Sequence, residues 1–287
     1  MSNFTTLPNN PSLSGCARLI RDVCFSKAGG GLYLDLLLPW GAEQEGNNQL
    51  YPAVVFLQGS GWTFPDRDYE LPQLARLAQR GFVVATITHR NYHDGYPMPA
   101  FLADAKTAIR FLKHQAAAYH IDKERISFWG TSSGGNTSLL VALTQDNPEY
   151  HTEEYAEEND QVCCSVACFP PTDLLTLLYQ RKGEEDNIVA LEKAVGDVSD
   201  EAARTLLEAM SPLRLSAAGQ QARVPILLAH GDADELVPYE QSALMFEQLQ
   251  ANGEEVSLVK VTDAPHEGDF WSPEMYRLIF DFLEQHT

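Results

Sequence analysis

Short apolar runs rich in β-branched and aromatic residues alternate along this chain with segments whose apolar positions recur at helical spacing. The runs Ala53–Leu57, Phe82–Ile87, Ile126–Trp129, Val162–Phe169, Pro225–His230 and Val256–Val261 read as strands. Between them the periodicity predicts helices over Leu71–Gln79, Pro99–Tyr119, Ser133–Leu143, Tyr239–Ala251 and Ser272–Gln285. Strands that are apolar almost throughout, and separated by helices, belong to a parallel sheet covered on both faces, where no side of the strand meets water. Two earlier runs, Arg18–Phe25 and Leu32–Leu38, flank the turn Gly29-Gly30-Gly31 and predict an antiparallel hairpin at the sheet edge. The expected fold class is α/β: an eight-stranded, mostly parallel sheet with helices on both faces, in one domain over residues 1–287.

One segment breaks the alternation. From Asp173 to Ala217 helical spacing continues without a strand, through Leu174, Leu175, Leu177 and Leu178, the polar stretch Lys182–Asn187, then Ala190, Leu191 and Ala194, and finally Ala203, Leu206 and Leu207. A helical insertion of this kind above the C-terminal edge of a sheet is expected to form a small lid over a ligand crevice. The competing reading is that these helices only pack against the body.

Composition narrows the field without changing this outline. Of 287 residues, 44% are hydrophobic and 21% charged, which is ordinary for a globular domain. No apolar run is long enough to span a bilayer, and the polar stretch Met1–Gly15 reads as a loose arm rather than a signal peptide. The expected location is therefore cytoplasmic. A formal charge of −20 makes nucleic acid and anionic membrane surfaces poor partners. The densest acidic stretch, Asp146–Asp160, holds seven carboxylates and no Lys or Arg, and is expected to be a solvated loop. Five cysteines, an odd number, argue against a disulfide framework. Cys163, Cys164 and Cys168 lie in an apolar run and read as buried thiols, and the lack of a C-x-x-C pair gives no support to a zinc site. Neither a metal nor a cofactor is expected, and oligomeric state is not legible.

Four loops carry chemistry. Gly130-Thr131-Ser132-Ser133-Gly134 fits G-x-S-x-G between a predicted strand and a predicted helix. A serine on that sharp turn has its Oγ exposed, and the helix N-terminus favours negative charge developing beside it. Ser132 is the candidate nucleophile, and the backbone N–H of Ser133 a candidate oxyanion donor. Gln58-Gly59-Ser60-Gly61-Trp62 follows the strand Ala53–Leu57, where glycines let backbone N–H groups approach a bound carbonyl oxygen. His230-Gly231-Asp232-Ala233-Asp234 follows another strand; Asp232 and Asp234 compete as the acid, spacing does not choose, and His230 reads as structural. His266, in Asp263-Ala264-Pro265-His266-Glu267-Gly268 after the last strand, completes the chain order Ser, Asp, His. Its imidazole is the expected general base. His89 and His93 fall on a post-strand loop and are candidate site-lining residues. Trp62, Phe64, Phe270 and Trp271 flank the catalytic loops; Trp62 and Trp271 are candidate substrate-binding residues, with core packing the alternative.

With these motifs in hand, the chain resembles the α/β-hydrolase carboxylesterases of the acetyl-esterase and feruloyl-esterase-like branch, over about Arg18 to Phe282. Leu34-Asp35, Asp104–Leu112, Ile121-Asp122, Arg125-Ile126 and Pro238–Ser242 add to the likeness. The resemblance implies Asp234 as the acid, because in that family the later carboxylate after the His-Gly pair is catalytic. It also implies oxyanion amides on Ser60 or Gly61 and on Ser133. The family usually reads His-Gly-Gly-Gly-Trp where this chain has Gln58-Gly59-Ser60-Gly61-Trp62, and commonly has alanine at the position of Ser133. Backbone N–H groups survive these exchanges. The implied activity is hydrolysis of small carboxylic esters through an acyl-enzyme, with acetyl or hydroxycinnamoyl groups on plant carbohydrate fragments as the substrate class. A serine amidase, peptidase or aryl formamidase is the rival on the same fold. A non-catalytic binding protein would be expected to lose a triad member, and this sequence keeps all three candidates.

Overall fold

The computed structural model describes residues 4–11, 13–43, 46–180, 193–196 and 200–287. Its strands are β1 (Ala17–Ser26), β2 (Leu32–Pro39), β3 (Tyr51–Leu57), β4 (Val83–Ile87), β5 (Ile121–Thr131), β6 (Ser165–Cys168), β7 (Ile226–Gly231) and β8 (Val256–Val261). They form one eight-stranded sheet in the order β1-β2-β4-β3-β5-β6-β7-β8. The first two joints, β1 with β2 and β2 with β4, are antiparallel; every joint from β4 to β8 is parallel. The edge hairpin and the parallel body are thus as the patterning predicts.

Helices connect the parallel strands: α1 (Leu71–Gln79), α2 (Ala100–His114), α3 (Ala116–Tyr119), α4 (Ser133–Leu143), α5 (Leu174–Gln180), α6 (Glu201–Ala209), α7 (Pro212–Ala217), α8 (Glu240–Ala251) and α9 (Pro273–His286). Alternation along the central strands sorts the core. Val55, Leu57 and Phe128 face a cluster with Leu102 and Ile109 of α2 and Leu140 of α4. Their neighbours Val54, Phe56 and Trp129 face Leu74 and Leu77 of α1 and Ile279, Phe280 and Leu283 of α9. Each such fully buried side chain stabilises the fold by about 1.5–3 kcal/mol before entropy is counted. The boundaries move where burial is not the cause of structure. β5 begins at Ile121, ahead of its apolar stretch, because Tyr51 of β3 pairs with Ile121 across the polar residues Asp122–Arg125. The long predicted helix Pro99–Tyr119 divides at Gln115, and α3 ends on His120 in the left-handed region (φ 56°).

The acidic stretch is only in part the solvated loop its charge suggests: Asp146, Glu149, Glu153 and Glu157 are exposed, but the stretch is anchored at its end. Asp160 is fully buried and ion-paired to the equally buried Lys106 of α2, whose Nζ also donates to the Thr144 carbonyl. One turn on, Arg110 donates to the Thr152 carbonyl at 3.1 Å, and next Lys113 donates to the Gln161 carbonyl at 2.9 Å. Three cations of α2 thus tie residues 144–161 to the body. Burial pushes the Asp160 carboxyl up, but the Lys106 charge and hydrogen bond outweigh it and hold the group below its ordinary value. All five cysteines are free; Cys164 and Cys168 are buried, Cys163 is half-buried, and Cys16 and Cys24 are exposed.

Between β6 and β7 the described residues form helices and no strand. Leu174, Leu178, Ala194, Leu207 and Met210 join the core shared with α2, and Met98 N–H donates to the Ala194 carbonyl at 2.9 Å. These parts of the expected lid pack against the body. Lys182–Asn187, Ala190 and Leu191 lie outside the described residues.

Candidate active site

Three of the four chemistry-bearing loops meet at the C-terminal ends of the parallel strands, and the fourth lies against them. Ser132 sits alone between the end of β5 and the start of α4, with φ 51° and ψ −122°. A non-glycine residue held there stores on the order of 1–3 kcal/mol of strain. Backbone hydrogen bonds compel it: Ser132 N–H donates to the Cys168 carbonyl at 2.9 Å, and Asn136 N–H donates to the Ser132 carbonyl at 3.0 Å. The flanking glycines are sites of close approach. A Cβ on Gly130 would lie 1.9 Å from the Gly134 carbonyl oxygen, and one on Gly134 would lie 2.1 Å from that of Leu57.

His266 stands on the loop after β8, with Nε2 2.9 Å from Ser132 Oγ. Its Nδ1 lies 2.7 Å from Oδ2 of Asp234, on the loop after β7. The Phe169 ring meets the imidazole edge-on at 4.6 Å. Asp234 is fully engaged. Its Oδ1 accepts the N–H groups of Leu236 and Val237, both at 2.8 Å, while Oδ2 accepts from His266 and, at 3.1 Å, from Nε2 of His230. Burial pushes this carboxyl up, but the His230 and His266 hydrogen bonds, the His266 charge and the Val237 N–H together hold it well below the ordinary carboxylate range. Asp234 is therefore an anion at neutral pH. Asp232 is exposed and turned elsewhere, accepting from Asp263 N–H at 2.6 Å and pairing with Lys260 at 3.1 Å. Of the two carboxylates between which spacing did not choose, Asp234 is the one in contact with His266.

His230 was expected to be structural, and it is buried, but it is buried against the acid. Its Nε2 contacts two acceptors, Asp234 Oδ2 and the Val237 carbonyl at 2.8 Å, which requires the proton on Nε2; Ser242 Oγ approaches Nδ1 at 2.7 Å.

The oxyanion loop lies directly against the elbow. Gly59 N–H donates to Thr131 Oγ1 at 2.8 Å, and Ser60 N–H donates to Ser133 Oγ at 2.9 Å. Of the expected oxyanion amides, Ser60 is thus already engaged. Among the described residues no acceptor meets the Gly61 or Ser133 N–H, and the Ser133 amide belongs to a first helical turn, which has no intrahelical acceptor. Gln58, where the resembling family has histidine, supports the loop by accepting from Asp66 N–H at 2.8 Å. Further on, Arg67 bonds the buried Asp35 at 2.6 Å and Asp22 at 2.7 Å, fastening the loop to the edge hairpin.

The aromatic residues divide. Trp62 is buried on Phe101, with ring centroids 6.2 Å apart, and Phe270 is buried against Phe169. Trp271 is half-buried, stacked on Tyr276 at 5.0 Å and edge-on to Trp129 and Phe169. For Trp62 and Trp271 the described contacts are those of core packing, because a large ring beside a close-packed elbow is more stable against other rings than in water. Phe64 is exposed and stacks parallel to His93 at 6.0 Å, whereas His89 is buried with Nδ1 2.8 Å from the Arg90 carbonyl. Behind the histidine loop, Tyr69, Glu70, Gln73, Trp271 and Tyr276 line a cavity of about 450 Å³. Burial pushes the Glu70 carboxyl up to about 7, against the opposing hydrogen bond from Tyr276.

Among the described residues there is no cluster of His, Cys, Asp and Glu suited to a metal ion, and no helix is long and apolar enough to cross a membrane. A sequence model of the BD-FAE family matches residues 34–249. The chain is 27% identical over 235 residues to the isoprenylcysteine alpha-carbonyl methylesterase ICME of Arabidopsis thaliana, covering 81% of this chain and 53% of that protein. It is 25% identical over 225 residues to the esterase LipC of Mycobacterium tuberculosis, covering 75% of this chain and 52% of the other. The chain thus spans about half the length of these curated relatives. A truncated carbohydrate esterase from gut microbiota superposes with a TM-score of 0.76 over 97% of this chain and 99% of that one, at 22% identity, which speaks for the fold. The family match runs from within β2 through the Gln58–Trp62 loop, the elbow and the loop that carries Asp234, and on it the chain belongs to the BD-FAE family, with the α/β-hydrolase fold of the carboxylesterases.

Proposed function

We propose that the protein is a serine carboxylic-ester hydrolase that works through an acyl-enzyme. The observation that carries this reading is the continuous hydrogen-bonded chain from Ser132 Oγ through both ring nitrogens of His266 to a buried, ionised Asp234. A serine hydroxyl alone is a weak nucleophile at neutral pH, and an adjacent base aligned on its proton removes that limit. His266 Nε2 takes the Ser132 proton as Oγ attacks the ester carbonyl. The Asp234 carboxylate fixes the tautomer with Nδ1 protonated and stabilises the imidazolium that forms. Backbone amides of the Gln58–Trp62 loop and of Ser133 are the donors toward the oxyanion. The imidazolium then returns its proton to the departing alkoxide. In the second half, His266 deprotonates water for attack on the acyl-serine, and Ser132 is restored. Every proton moves between groups of this chain, the substrate and water, so the proposed cycle calls for no cofactor.

The names of the relatives favour an ester over an amide, and the substrate class suggested by the resemblance is a short acyl group, acetyl or hydroxycinnamoyl, on a carbohydrate alcohol. The test is hydrolysis of p-nitrophenyl esters from acetate to octanoate by the wild-type chain beside Ser132→Ala. Turnover by wild type and none by the folded variant is the expected result. Folded wild-type protein inert toward every ester would overturn the reading, and peptide and formamide substrates in the same assay would then test the amidase alternative.

A further inference from the structure

The two residues flanking the nucleophile have hydroxyl side chains, and each hydroxyl meets the oxyanion loop. Thr131 Oγ1 accepts from Gly59 N–H and Ser133 Oγ from Ser60 N–H, at 2.8 and 2.9 Å, so consecutive amides of the loop are bound to the residues immediately before and after Ser132. Both hydroxyl residues are 2% exposed, so the acceptor end of each bond is shielded from bulk water. The contact is also tight at backbone level, since a Cβ on Gly59 would lie 2.5 Å from Ser132 Cβ and 2.7 Å from the Thr131 carbonyl oxygen. Nothing in nucleophilic attack requires hydroxyls at these two positions; a methyl group would satisfy the elbow's sterics equally well.

We propose that the Thr131 and Ser133 hydroxyls are positioning residues that form a two-point clamp, fixing the oxyanion loop to the nucleophile elbow so that the amide beyond the clamp, on Gly61, and the amide of Ser133 hold a set distance from Ser132 Oγ. The proposal rests on the reading of Ser132 as nucleophile. A loop pinned at one amide can rotate about that bond, whereas one pinned at two successive amides cannot. The two bonds therefore convert a glycine-rich segment, which would otherwise sample many conformations, into a rigid donor array. The same pins explain how Ser60 N–H is used. It is a strut of the array, and the donors to the oxyanion are the amides of Gly61 and Ser133.

The test compares Thr131→Val and Ser133→Ala, which delete each hydroxyl, with Thr131→Ser and Ser133→Thr, which keep it. For p-nitrophenyl acetate, each deletion should lower kcat about tenfold with KM within about twofold, as expected when donors shift by a fraction of an ångström in the transition state. The hydroxyl-keeping variants should recover most of that loss. A role in stability alone would move the melting temperature without this kcat-against-KM split. Hydrogen–deuterium exchange over residues 58–66 supplies a readout independent of turnover: exchange at the Gly59 and Ser60 amides should accelerate at least tenfold in the corresponding deletion variant. Wild-type kcat in Ser133→Ala, failure of Ser133→Thr to restore a lost rate, or unchanged exchange at these amides would each overturn the clamp. An inert wild-type enzyme would instead defeat the esterase reading, while the exchange measurement would still decide the clamp.

Discussion

Replacing Asp234 by asparagine tests the acid without changing its shape. In the wild-type chain all four donors around this side chain point at it: two backbone N–H groups at 2.8 Å on Oδ1, and His266 and His230 at 2.7 and 3.1 Å on Oδ2. An amide has one oxygen, so in either orientation its NH₂ group faces two donors. Turned toward Leu236 and Val237, it opposes two backbone N–H groups that cannot retreat. Turned toward the histidines, it can be accommodated only if His266 presents Nδ1 as an acceptor, which moves the ring proton to Nε2. Nε2 then faces Ser132 Oγ with a proton already in place and cannot accept another. The second arrangement should prevail, because a tautomer change costs less than two buried unpaired amides. The expected loss in kcat is about 10³–10⁴-fold, or ~4–5.5 kcal/mol of barrier, together with about 1–3 kcal/mol of stability from the poorer hydrogen bonding. The assay is p-nitrophenyl acetate hydrolysis at saturating substrate, with a melting curve to show that the variant is folded. Asp232→Asn, at an exposed side chain bound to Lys260 and Asp263 N–H, should stay within about twofold of wild type. More than a tenth of wild-type kcat in Asp234→Asn, or a greater loss in Asp232→Asn, would refute the argument.

Gly59→Ala should fold poorly or lack measurable esterase activity, since its Cβ would meet Ser132 Cβ at 2.5 Å; wild-type turnover would contradict the packing of that loop. Lys106→Met leaves Asp160 as a buried carboxylate without its cation and should cost about 3–5 kcal/mol in urea denaturation, and a loss under about 1 kcal/mol would show the pair to be solvated. Glu70 is a carboxyl whose folded pKa, about 7, lies above its ordinary 4.5. Its protonated form is the one the fold favours, so this contribution is complete below pH 4.5 and is lost as pH rises toward 7, on the order of 3 kcal/mol in all. Glu70→Gln, which can still accept from Tyr276, should therefore flatten the fall in unfolding free energy between those pH values, and an unchanged slope would count against it. Adding a chelator should leave the hydrolysis rate unaltered, and a loss restored by added metal would overturn the metal-free mechanism.

What the sequence made legible was whatever burial or steric necessity writes into it. Val256–Val261 and Leu71–Gln79 have the predicted bounds because an apolar run and an amphipathic period coincide there with the elements themselves. The elbow was legible because Gly130 and Gly134 are dictated by backbone contact. The start of β5 was not, since only Ile121 pairs with Tyr51 of β3 there, and the polar residues Asp122–Arg125 fall in the register shift before Ile126 pairs with Ala53. The buried Asp160 was hidden because its partner Lys106 lies 54 residues away on α2, and a local count of charges sees a repelling tract. His230 posed a different difficulty. Burial and contact with the acid are both true of it, and a choice between a structural and a functional histidine admitted only one. The contacts of the Thr131 and Ser133 hydroxyls were not legible, because they fill variable positions of the motif and their partners lie more than 70 positions away.

The edge hairpin has a bearing on how the molecule meets its own copies. An open sheet ends in strands whose outer N–H and C=O groups are a template for another chain. At this edge β1 loses register with β2 between Ile20 and Val23, and again between Cys24 and Ser26, with Asp22 in the left-handed region at φ 56°. The strand thus presents no long, flat row of backbone groups, and Arg21 and Asp22 stand at the irregularity, paired to Asp68 and Arg67. A second sheet would have to straighten the bulge and break those ion pairs to add on. The same irregularity that anchors the Gln58–Trp62 loop from outside therefore guards this edge of the sheet against edge-to-edge polymerisation.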